Sequence, residues 1–589
     1  MPAPPADAVQ PPAEDSTRVA RALLLALGGA LCLAEIRIAG LTDAGYEILY
    51  GRHGWAPGEI AFMLHYLLFG IPAAALLGGA LALGLGNRLS AGFDRLATLP
   101  SRTAWRLAGG AAAAAFLLIA LVRLGILRDT AITDDENVYA FMARVFASGR
   151  LSLPSLPEPV RPFFDNQFIV NDGKWYGIYF PGYPAALALG EWLHAARWVP
   201  GLSAALTVPL TFAVGRRTFG QRAALLALPL LVLSPFFVFS SATLLAHAWA
   251  GLLFMGFVYA ALRIAAAPGA VGWWLVAALA LGWAGLTRPL SAAAFALPWL
   301  CWLGWRLWRD RSGRTGAGAI VFCLVGVLTL GLFCAYNLAL SGSPLVTGYQ
   351  TFARINNFAF TVGALAAPPP LPSLHELGYT LARLNFWLLG WPVSLALLPF
   401  FRRATESVLL ALGTAAVLLA YALSAVPSIN VVGPVHYAEL APPLILLGAS
   451  GLERVVERAR AAAPAPGRER LLLGLPLGAT LVMLLTFIPI YGASLRAMAD
   501  VARAPYALAE ERGLDRAVVF VHSLPALHRR PFAWVYTHRN SSPGLQDRIL
   551  FVRYLGAEKN KELMRYLPDR KPYAMGLRGG ELLLVPVEP

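Results

Sequence analysis

Long apolar runs separated by short polar segments occupy most of the chain. A window of about 19 residues, roughly the length of helix that crosses a bilayer, predicts about thirteen membrane spans. They cover 22–40, 60–85, 107–127, 199–215, 223–242, 245–262, 272–287, 289–305, 316–339, 381–400, 407–425, 438–452 and 471–494. The pattern therefore predicts an all-α polytopic membrane protein.

Composition supports this fold class. Hydrophobic residues make up 57% of the chain and charged residues only 14%, whereas soluble proteins are about 25% charged. The formal charge of +15 comes mainly from arginine. These arginines interrupt apolar runs and form no basic stripe, so nucleic-acid binding is not expected. The four cysteines show no metal-site spacing and predict neither a disulfide framework nor zinc.

The arginines also predict an orientation. They cluster in alternate loops, after the spans that end near 85, 215, 305, 400 and 452, and the intervening loops hold few. The positive-inside rule then places the N-terminus in the cytoplasm. It places a loop at 128–181 and the residues after 495 on the outer side.

Three domains are expected. Residues 1–17 are rich in Pro and Ala and are expected to form a disordered cytoplasmic N-terminus. Residues 18–495, with the outer loop 128–181, form the transmembrane domain. Residues 496–589 change in composition, with β-like runs `AVVFVHSL`, `RILFVRYL` and `ELLLVPV` around a helical patch `EKNKELMRYL`. They predict a small α/β extracytoplasmic domain.

The outer loop begins with three consecutive acids, Asp134, Asp135 and Glu136, directly after an apolar span. Thr133 and Glu136 form a capping box, which predicts a helix from about 134 to 148. Capping explains Glu136 well. It explains the adjacent pair Asp134 and Asp135 less well, since one cap suffices and like charges at a membrane edge repel and lose hydration. Function and plain capping therefore both stand as interpretations of the cluster.

Several motifs, taken in this order, resemble those of GT-C membrane glycosyltransferases. They are `DE..Y...A`, `GKWY..Y.PGYP`, `GRRTFG`, `LSPFFVFSSATLLAHA`, `LTRP` and `GP.HY.E..P`, spread between about Asp134 and Gly451. The nearest groups are the bacterial relatives of protein O-mannosyltransferases and of the lipid A aminoarabinose transferase. Two features depart from the pattern: two spans precede the one that leads into the acidic loop, and `GPVHY` stands where relatives commonly have Arg followed by Tyr.

The resemblance implies transfer of a sugar from a polyprenyl-phosphate-linked donor to an acceptor on the outer face, usually with inversion. Asp135 aligns with the family's catalytic aspartate, Asp134 is its rival by a shift of one residue, and Glu136 corresponds to the second acid. The leaving phosphate needs cations. Arg288, at the outer end of a span, and Lys174, the only lysine before the C-terminal domain, are the candidates.

Other polar and aromatic residues are candidate substrate contacts. Each also has a plain structural interpretation, such as an interfacial polar group, a turn residue or part of an aromatic belt. They are Tyr139, Asp165, Tyr176, Tyr179, His247, His436, Tyr437 and Glu439. No cofactor is certain, and the acids leave a divalent metal as an open alternative.

The rival functions are a transporter or flippase of a lipid-linked glycan, and a glycan ligase or polymerase. A transporter is expected to carry mid-membrane charges and inverted repeats, whereas polar residues gather here at the outer ends of spans. A ligase would need a different key outer loop late in the chain.

The expected partners are a polyprenyl-phosphate-sugar, a lipid, glycan or protein acceptor, and membrane lipids. The expected location is a bacterial inner membrane with the site facing the periplasm or outside.

Overall fold

Helices dominate the computed structural model, which describes residues 13–42, 57–309, 315–356, 374–423, 431–462, 466–522, 539–579 and 581–588. The helices are α1 (Ala13–Thr42), α2 (Pro57–Thr98), α3 (Ser101–Leu121), α4 (Asp134–Ala147), α5 (Gly182–Trp192), α6 (Val199–Thr218), α7 (Gln221–Val232), α8 (Pro235–Ala242), α9 (His247–Ala266), α10 (Val271–Thr287), α11 (Pro289–Arg309), α12 (Gly316–Ser341), α13 (Gly348–Asn356), α14 (Leu374–Leu389), α15 (Thr405–Leu423), α16 (Ala441–Ala462), α17 (Pro466–Val482), α18 (Ile488–Glu511) and α19 (Ala557–Tyr566). The polytopic helical class is thus confirmed.

The predicted spans differ from the helices in number. Each of the thirteen coincides with a helix or a pair of helices, but in the described ranges only eight helices are long and apolar enough to cross a membrane, or up to ten if each bent pair is one span. The bent pairs are α7 with α8, at 52°, and α14 with the 3₁₀ helix Ser394–Phe400, at 96°. Proline or glycine lies at both bends, and α10 is apolar but short.

The two helices that precede the usual pattern are packed into the bundle. Helix α2 lies against α17 through glycines on both sides. A Cβ on Gly78 would lie 2.9 Å from the carbonyl oxygen of Gly474. Small residues allow such close backbone approach in membranes. Glu59 of α2 also accepts hydrogen bonds of 2.8 and 2.7 Å from Arg383 of α14, and both side chains are buried.

Residues 128–181 form a compact cover over one end of the bundle. Arg123, in the π-helical turn Val122–Ile126, donates to Asp129 (2.7 Å) and to the carbonyl of Ala242 (2.9 Å), which fixes the start of this loop. Helix α4 follows, and its predicted extent is confirmed. An antiparallel sheet of β1 (Leu153–Pro154), β2 (Ile169–Asp172) and β3 (Lys174–Gly177) completes the loop, in the order β1-β3-β2.

The C-terminal domain has a four-stranded sheet in the order β5-β4-β6-β7, with α19 between β5 and β6. The strands are β4 (Ala517–Val521), β5 (Ile549–Arg553), β6 (Lys571–Arg578) and β7 (Glu581–Pro586). Strand β4 pairs in parallel with β5 and β6, and β6 pairs antiparallel with β7. The α/β class is confirmed, and β6 is an addition to the predicted runs.

Two predicted domain boundaries differ from the helix ends. The boundary at 496 lies within α18, because this helix continues to Glu511 before the sheet begins. The N-terminal segment predicted to be disordered, 1–17, overlaps α1 from Ala13 onward, and residues 1–12 lie outside the described residues.

Candidate active site

Helix α4 begins with the predicted capping box. The hydroxyl of Thr133 accepts from the amide of Glu136 at 3.4 Å. The Glu136 carboxylate accepts from the amide of Ile132 at 2.9 Å and from the amide of Leu244 at 2.8 Å. Each oxygen of this buried carboxylate therefore accepts a backbone N–H. One of the two donors, the amide of Leu244, lies in the turn before α9. These bonds fix the position of α4, and the catalytic role of Glu136 stays a prediction.

Asp135 lies beside Glu136 in the first turn of α4 and is half-buried among tyrosines. The hydroxyl of Tyr179 donates to its Oδ1. Tyr139, one turn along α4, stacks on Tyr179 with ring centroids 4.3 Å apart, and Tyr183 and Tyr349 complete the group with edge contacts. Burial raises the pKa of the Asp135 carboxyl above its ordinary value, although the Tyr179 hydroxyl opposes the shift.

Two glycines permit the close approach that forms this group. A Cβ on Gly182, in the `PGYP` motif, would lie 2.5 Å from the Thr287 hydroxyl, next to Arg288. A Cβ on Gly348 would lie 2.6 Å from the carbonyl of Ile178, next to Tyr179. Larger residues would push α5 and α13 away, so these positions favour glycine for packing.

Arg288 connects α10 and α11 and is the centre of a second group. Its Nε donates to Glu439 at 3.0 Å, and its Nη2 donates to the Tyr421 hydroxyl at 2.6 Å and to the carbonyl of His436 at 3.3 Å. Within the part of the chain that the structure describes, Nη1 makes no hydrogen bond. One edge of this nearly buried guanidinium is therefore free to bind a ligand.

Glu439 holds the second group together from the 3₁₀ helix Val435–Leu440. Besides Arg288 it accepts from the hydroxyl of Ser291 at 2.7 Å and pairs with Nδ1 of His247 at 2.7 Å. Its side chain is fully buried. A carboxylate buried to this extent needs such partners, since an unpaired buried charge is strongly unfavourable.

Aromatic rings bound the second group. The ring of Tyr421 is parallel to that of His436 at 5.3 Å and has an edge contact with Tyr437 at 5.5 Å. The Arg288 guanidinium lies 5.6 Å from the centre of the Tyr421 ring. Planar contacts of this kind restrict the guanidinium to one orientation.

The two groups face each other. The charge of Arg288 acts on Asp135 and lowers the pKa of its carboxyl, in opposition to the larger effect of burial. Tyr139 also interacts electrostatically with both groups, with Asp135 on one side and with Arg288, Tyr421 and Glu439 on the other. A carboxylate and a guanidinium from distant parts of the chain thus share one buried polar region. Of the predicted residues, this region contains Asp135, Tyr139, Tyr179, His247, Arg288, His436, Tyr437 and Glu439.

Other predicted residues lie elsewhere. Lys174 is exposed on β3 and donates to the carbonyl of Ala339 at 2.5 Å. Asp165 accepts from Asn171 at 3.1 Å within the loop, and burial raises the pKa of its carboxyl. Tyr176 is buried in the same sheet. Asp134 interacts electrostatically with Tyr506 of α18, beside the C-terminal domain.

Four residues of the polar region were absent from the sequence prediction: Tyr183, Ser291, Tyr349 and Tyr421. Ser291 lies three residues after Arg288 and Tyr183 lies within `PGYP`, so adjacency to a motif could have indicated both. Tyr349 lies in a loop-like segment and Tyr421 in an apolar one, and neither belongs to a motif named above. Only the packing of α13 and α15 brings them to the site.

Carboxylates do not converge here in the manner of a metal centre. In the described ranges, no group of three or more His, Cys, Asp or Glu side chains is arranged to hold an ion. Asp134, Asp135 and Glu136 are adjacent in sequence, but their side chains have different neighbours: Tyr506, Tyr179 and the amide of Leu244, respectively.

A family model described as dolichyl-phosphate-mannose-protein mannosyltransferase matches residues 184–333. This match, over about a quarter of the chain, confirms the resemblance to GT-C glycosyltransferases. The matched segment runs from α5 to α12 and includes His247 and Arg288 but neither Asp135 nor Glu439. A comparison with curated protein sequences gives no match.

Solved structures with a similar course of the chain have low identity to it. ArnT from Cupriavidus metallidurans bound to undecaprenyl phosphate has 14% identity and a TM-score of 0.46, with 80% of this chain and 97% of that chain covered. The Archaeoglobus fulgidus oligosaccharyltransferase complex with Zn and sulfate has 14% identity and a TM-score of 0.39, with coverages of 78% and 62%. Arabinosyltransferase EmbB from Mycobacterium smegmatis has 15% identity and a TM-score of 0.35, with coverages of 78% and 45%.

Proposed function

Given the similarity to dolichyl-phosphate-mannose-protein mannosyltransferases, we propose that this chain transfers a sugar from a polyprenyl-phosphate-linked donor to an acceptor on the outer face of the membrane, with inversion. One observation carries the proposal. A carboxylate of raised pKa, Asp135, and a guanidinium with a free edge, Arg288, share one buried polar region. A glycosyl transfer of this kind needs a base and a cation at the same place.

Asp135 is the general base in this mechanism. The acceptor hydroxyl attacks the anomeric carbon from the side opposite the phosphate, and its proton passes to the Asp135 carboxylate. Tyr179 donates to Oδ1 and holds the carboxylate in position. Asp134 is the rival base, and its location beside Tyr506 makes it the weaker candidate.

Arg288 stabilises the leaving group. As the bond from the anomeric carbon to the phosphate oxygen breaks, the electron pair stays on the oxygen and the polyprenyl phosphate gains negative charge. Nη1 of Arg288 donates to that phosphate, while Glu439 and Tyr421 keep the guanidinium in place. A preorganised cation in a buried site is worth more than one in water.

Lys174 stays a prediction as the second cation. It is exposed and already bonded to the carbonyl of Ala339, so its removal should weaken donor binding less than removal of Arg288. The aromatic group of Tyr139, Tyr179 and Tyr349 offers ring faces against which a sugar can pack.

The experiment is a transfer assay with the purified protein in lipid nanodiscs. A radiolabelled polyprenyl-phosphate-sugar is incubated with membrane-extracted acceptors, and sugar transfer is followed by a change in the mobility of the label. Formation of a labelled product, lost in Asp135→Asn, supports the proposal. Movement of the intact donor across a liposome membrane without cleavage would instead indicate the flippase alternative and contradict it.

A further inference from the structure

A cavity lies between α4, α18 and the C-terminal domain. Its volume is about 210 Å³. Neither Asp135 nor Arg288 lines it, so it is distinct from the candidate active site. The charged and aromatic residues that line it are Arg144, Tyr506, Glu510, Arg539, Asp547, Arg548 and Phe551.

Arg144 of α4 is a charged residue of the cavity wall. Its Nη2 donates to the carbonyl of Asn540 at 2.7 Å, which joins α4 to the C-terminal domain. Its Nε is buried and has no hydrogen-bond partner in the described part of the protein. Burial also lowers the pKa of this guanidinium. Among the described residues no carboxylate forms an ion pair with Arg144, which lines the cavity, so its partly buried charge favours an anion there.

The charges around Arg144 favour an anion. Arg539 lies over the ring of Tyr506, 4.4 Å from its centre, and Arg548 is exposed at the rim. Of the two acids, Asp547 is engaged by the amide (2.6 Å) and hydroxyl (2.8 Å) of Ser542. Three guanidiniums against two carboxylates leave a net positive cavity.

We propose that this cavity binds a phosphate-type anion, held by the guanidinium groups of Arg144, Arg539 and Arg548. Planar guanidinium groups bind phosphate oxygens in pairs, and a cavity of this size suits a small group rather than a drug-sized ligand. The anion is either free phosphate or the phosphate of a lipid head group. The site goes beyond the transfer reaction, since neither the base nor the leaving phosphate uses it.

A bound anion would connect α4 to the C-terminal domain through charge-assisted hydrogen bonds. Asn540 already links the two parts: its carbonyl accepts from Arg144 and its side chain accepts from Asn166 of loop 128–181. Ligand binding should therefore slow the local opening of both sides of the cavity.

Hydrogen exchange of the full-length protein in nanodiscs gives a local test. In neutral-lipid discs, phosphate should protect peptides covering 139–148 and 539–551, and chloride at equal ionic strength should not. In discs containing phosphatidylglycerol, protection without added phosphate would identify a lipid head group as the source. No protection in either kind of disc, or equal protection by chloride, would overturn the proposal.

Two variants, Arg539→Gln and Arg548→Gln, test the site without depending on the fold. Arg144→Gln also removes the bond to Asn540 and could loosen the domain. Arg539→Gln and Arg548→Gln alter exposed side chains, and each should weaken phosphate binding about tenfold. Arg565→Gln removes the same charge from the exposed face of α19 and should leave binding unchanged. Equal binding by Arg539→Gln, Arg548→Gln and wild type would refute the site.

Discussion

At the level of single residues, Asp135 and Asp134 give the sharpest contrast. Asp135→Asn should lower turnover by about 10²–10⁴, because it removes the general base. Asp134→Asn should keep most of the activity, since Asp134 interacts electrostatically with Tyr506 of α18, outside the buried polar region. Initial rates of both variants, with donor binding measured in parallel, check this. Inactive Asp134→Asn with active Asp135→Asn would reverse the two assignments.

Arg288 should affect binding as well as turnover. Arg288→Lys keeps the charge but loses the planar guanidinium that donates to Glu439 and to Tyr421 at the same time. We expect a higher KM for the donor and a lower kcat, because a phosphate contact exists before and during the reaction. Lys174→Ala is the comparison, and an equal loss in Lys174→Ala would show that the exposed lysine contributes as much as the buried arginine.

The raised pKa of Asp135 predicts the acid limb of the activity profile. The base works only when deprotonated, so activity should fall as the pH drops through that pKa, at a pH above the value of about 4 for an exposed aspartate. Tyr179→Phe removes a bond that lowers the pKa and should move the limb to higher pH. Tyr176→Phe, which alters a buried tyrosine of β3 three residues earlier, should not move it. An unchanged limb in Tyr179→Phe would contradict the assignment of the base.

At the level of elements, α4 depends on its first turn. The cap of Thr133 and the anchors of Glu136 set the position of Asp135. Thr133→Ala removes the cap, which typically contributes about 0.5–2 kcal/mol. The amides of 134–147 should therefore exchange about 2- to 30-fold faster. Ser152→Ala, in the next loop, serves as the control, and exchange rates equal to the control would mean that tertiary contacts alone hold α4.

At the level of the whole molecule, the first two helices should stabilise the bundle. The buried pair of Glu59 and Arg383 joins α2 to α14. Breaking a buried pair by removal of one partner costs about 3–5 kcal/mol. Arg383→Met should therefore lower the melting temperature in nanodiscs more than Arg383→Met combined with Glu59→Gln. The opposite order would show that the pair has no role in holding α2.

The orientation of the molecule stays a prediction from arginine placement. In a cysteine-free background, Arg150→Cys in loop 128–181 and Glu558→Cys in α19 should react with an impermeant thiol reagent in intact cells. Arg95→Cys, in the last turn of α2 and predicted to face the cytoplasm, should react only after permeabilisation. All three side chains are exposed. Protection of the first two in intact cells would invert the orientation and place the site in the cytoplasm.

The sequence by itself determined the membrane class, the positions of the apolar helices and the start of α4. These follow from local patterns, because the hydropathy of about 20 residues and the capping box of Thr133 with Glu136 need no information from the rest of the chain. The strands β4, β5 and β7 were also readable from short apolar runs. The helix bends were not readable, since a window of average hydropathy does not register a bend.

Only the tertiary structure decided how the site is assembled. Arg288 and Glu439 are 151 positions apart, and Tyr179 and Asp135 are 44 apart. Tyr349 and Tyr421 reach the same region through the packing of α13 and α15. Nothing in the local sequence marks these pairings, because they depend on which helices pack together. The same packing gives Glu136 its backbone donors and leaves one edge of Arg288 without a partner among the described residues. Burial raises the pKa of the Asp135 carboxyl.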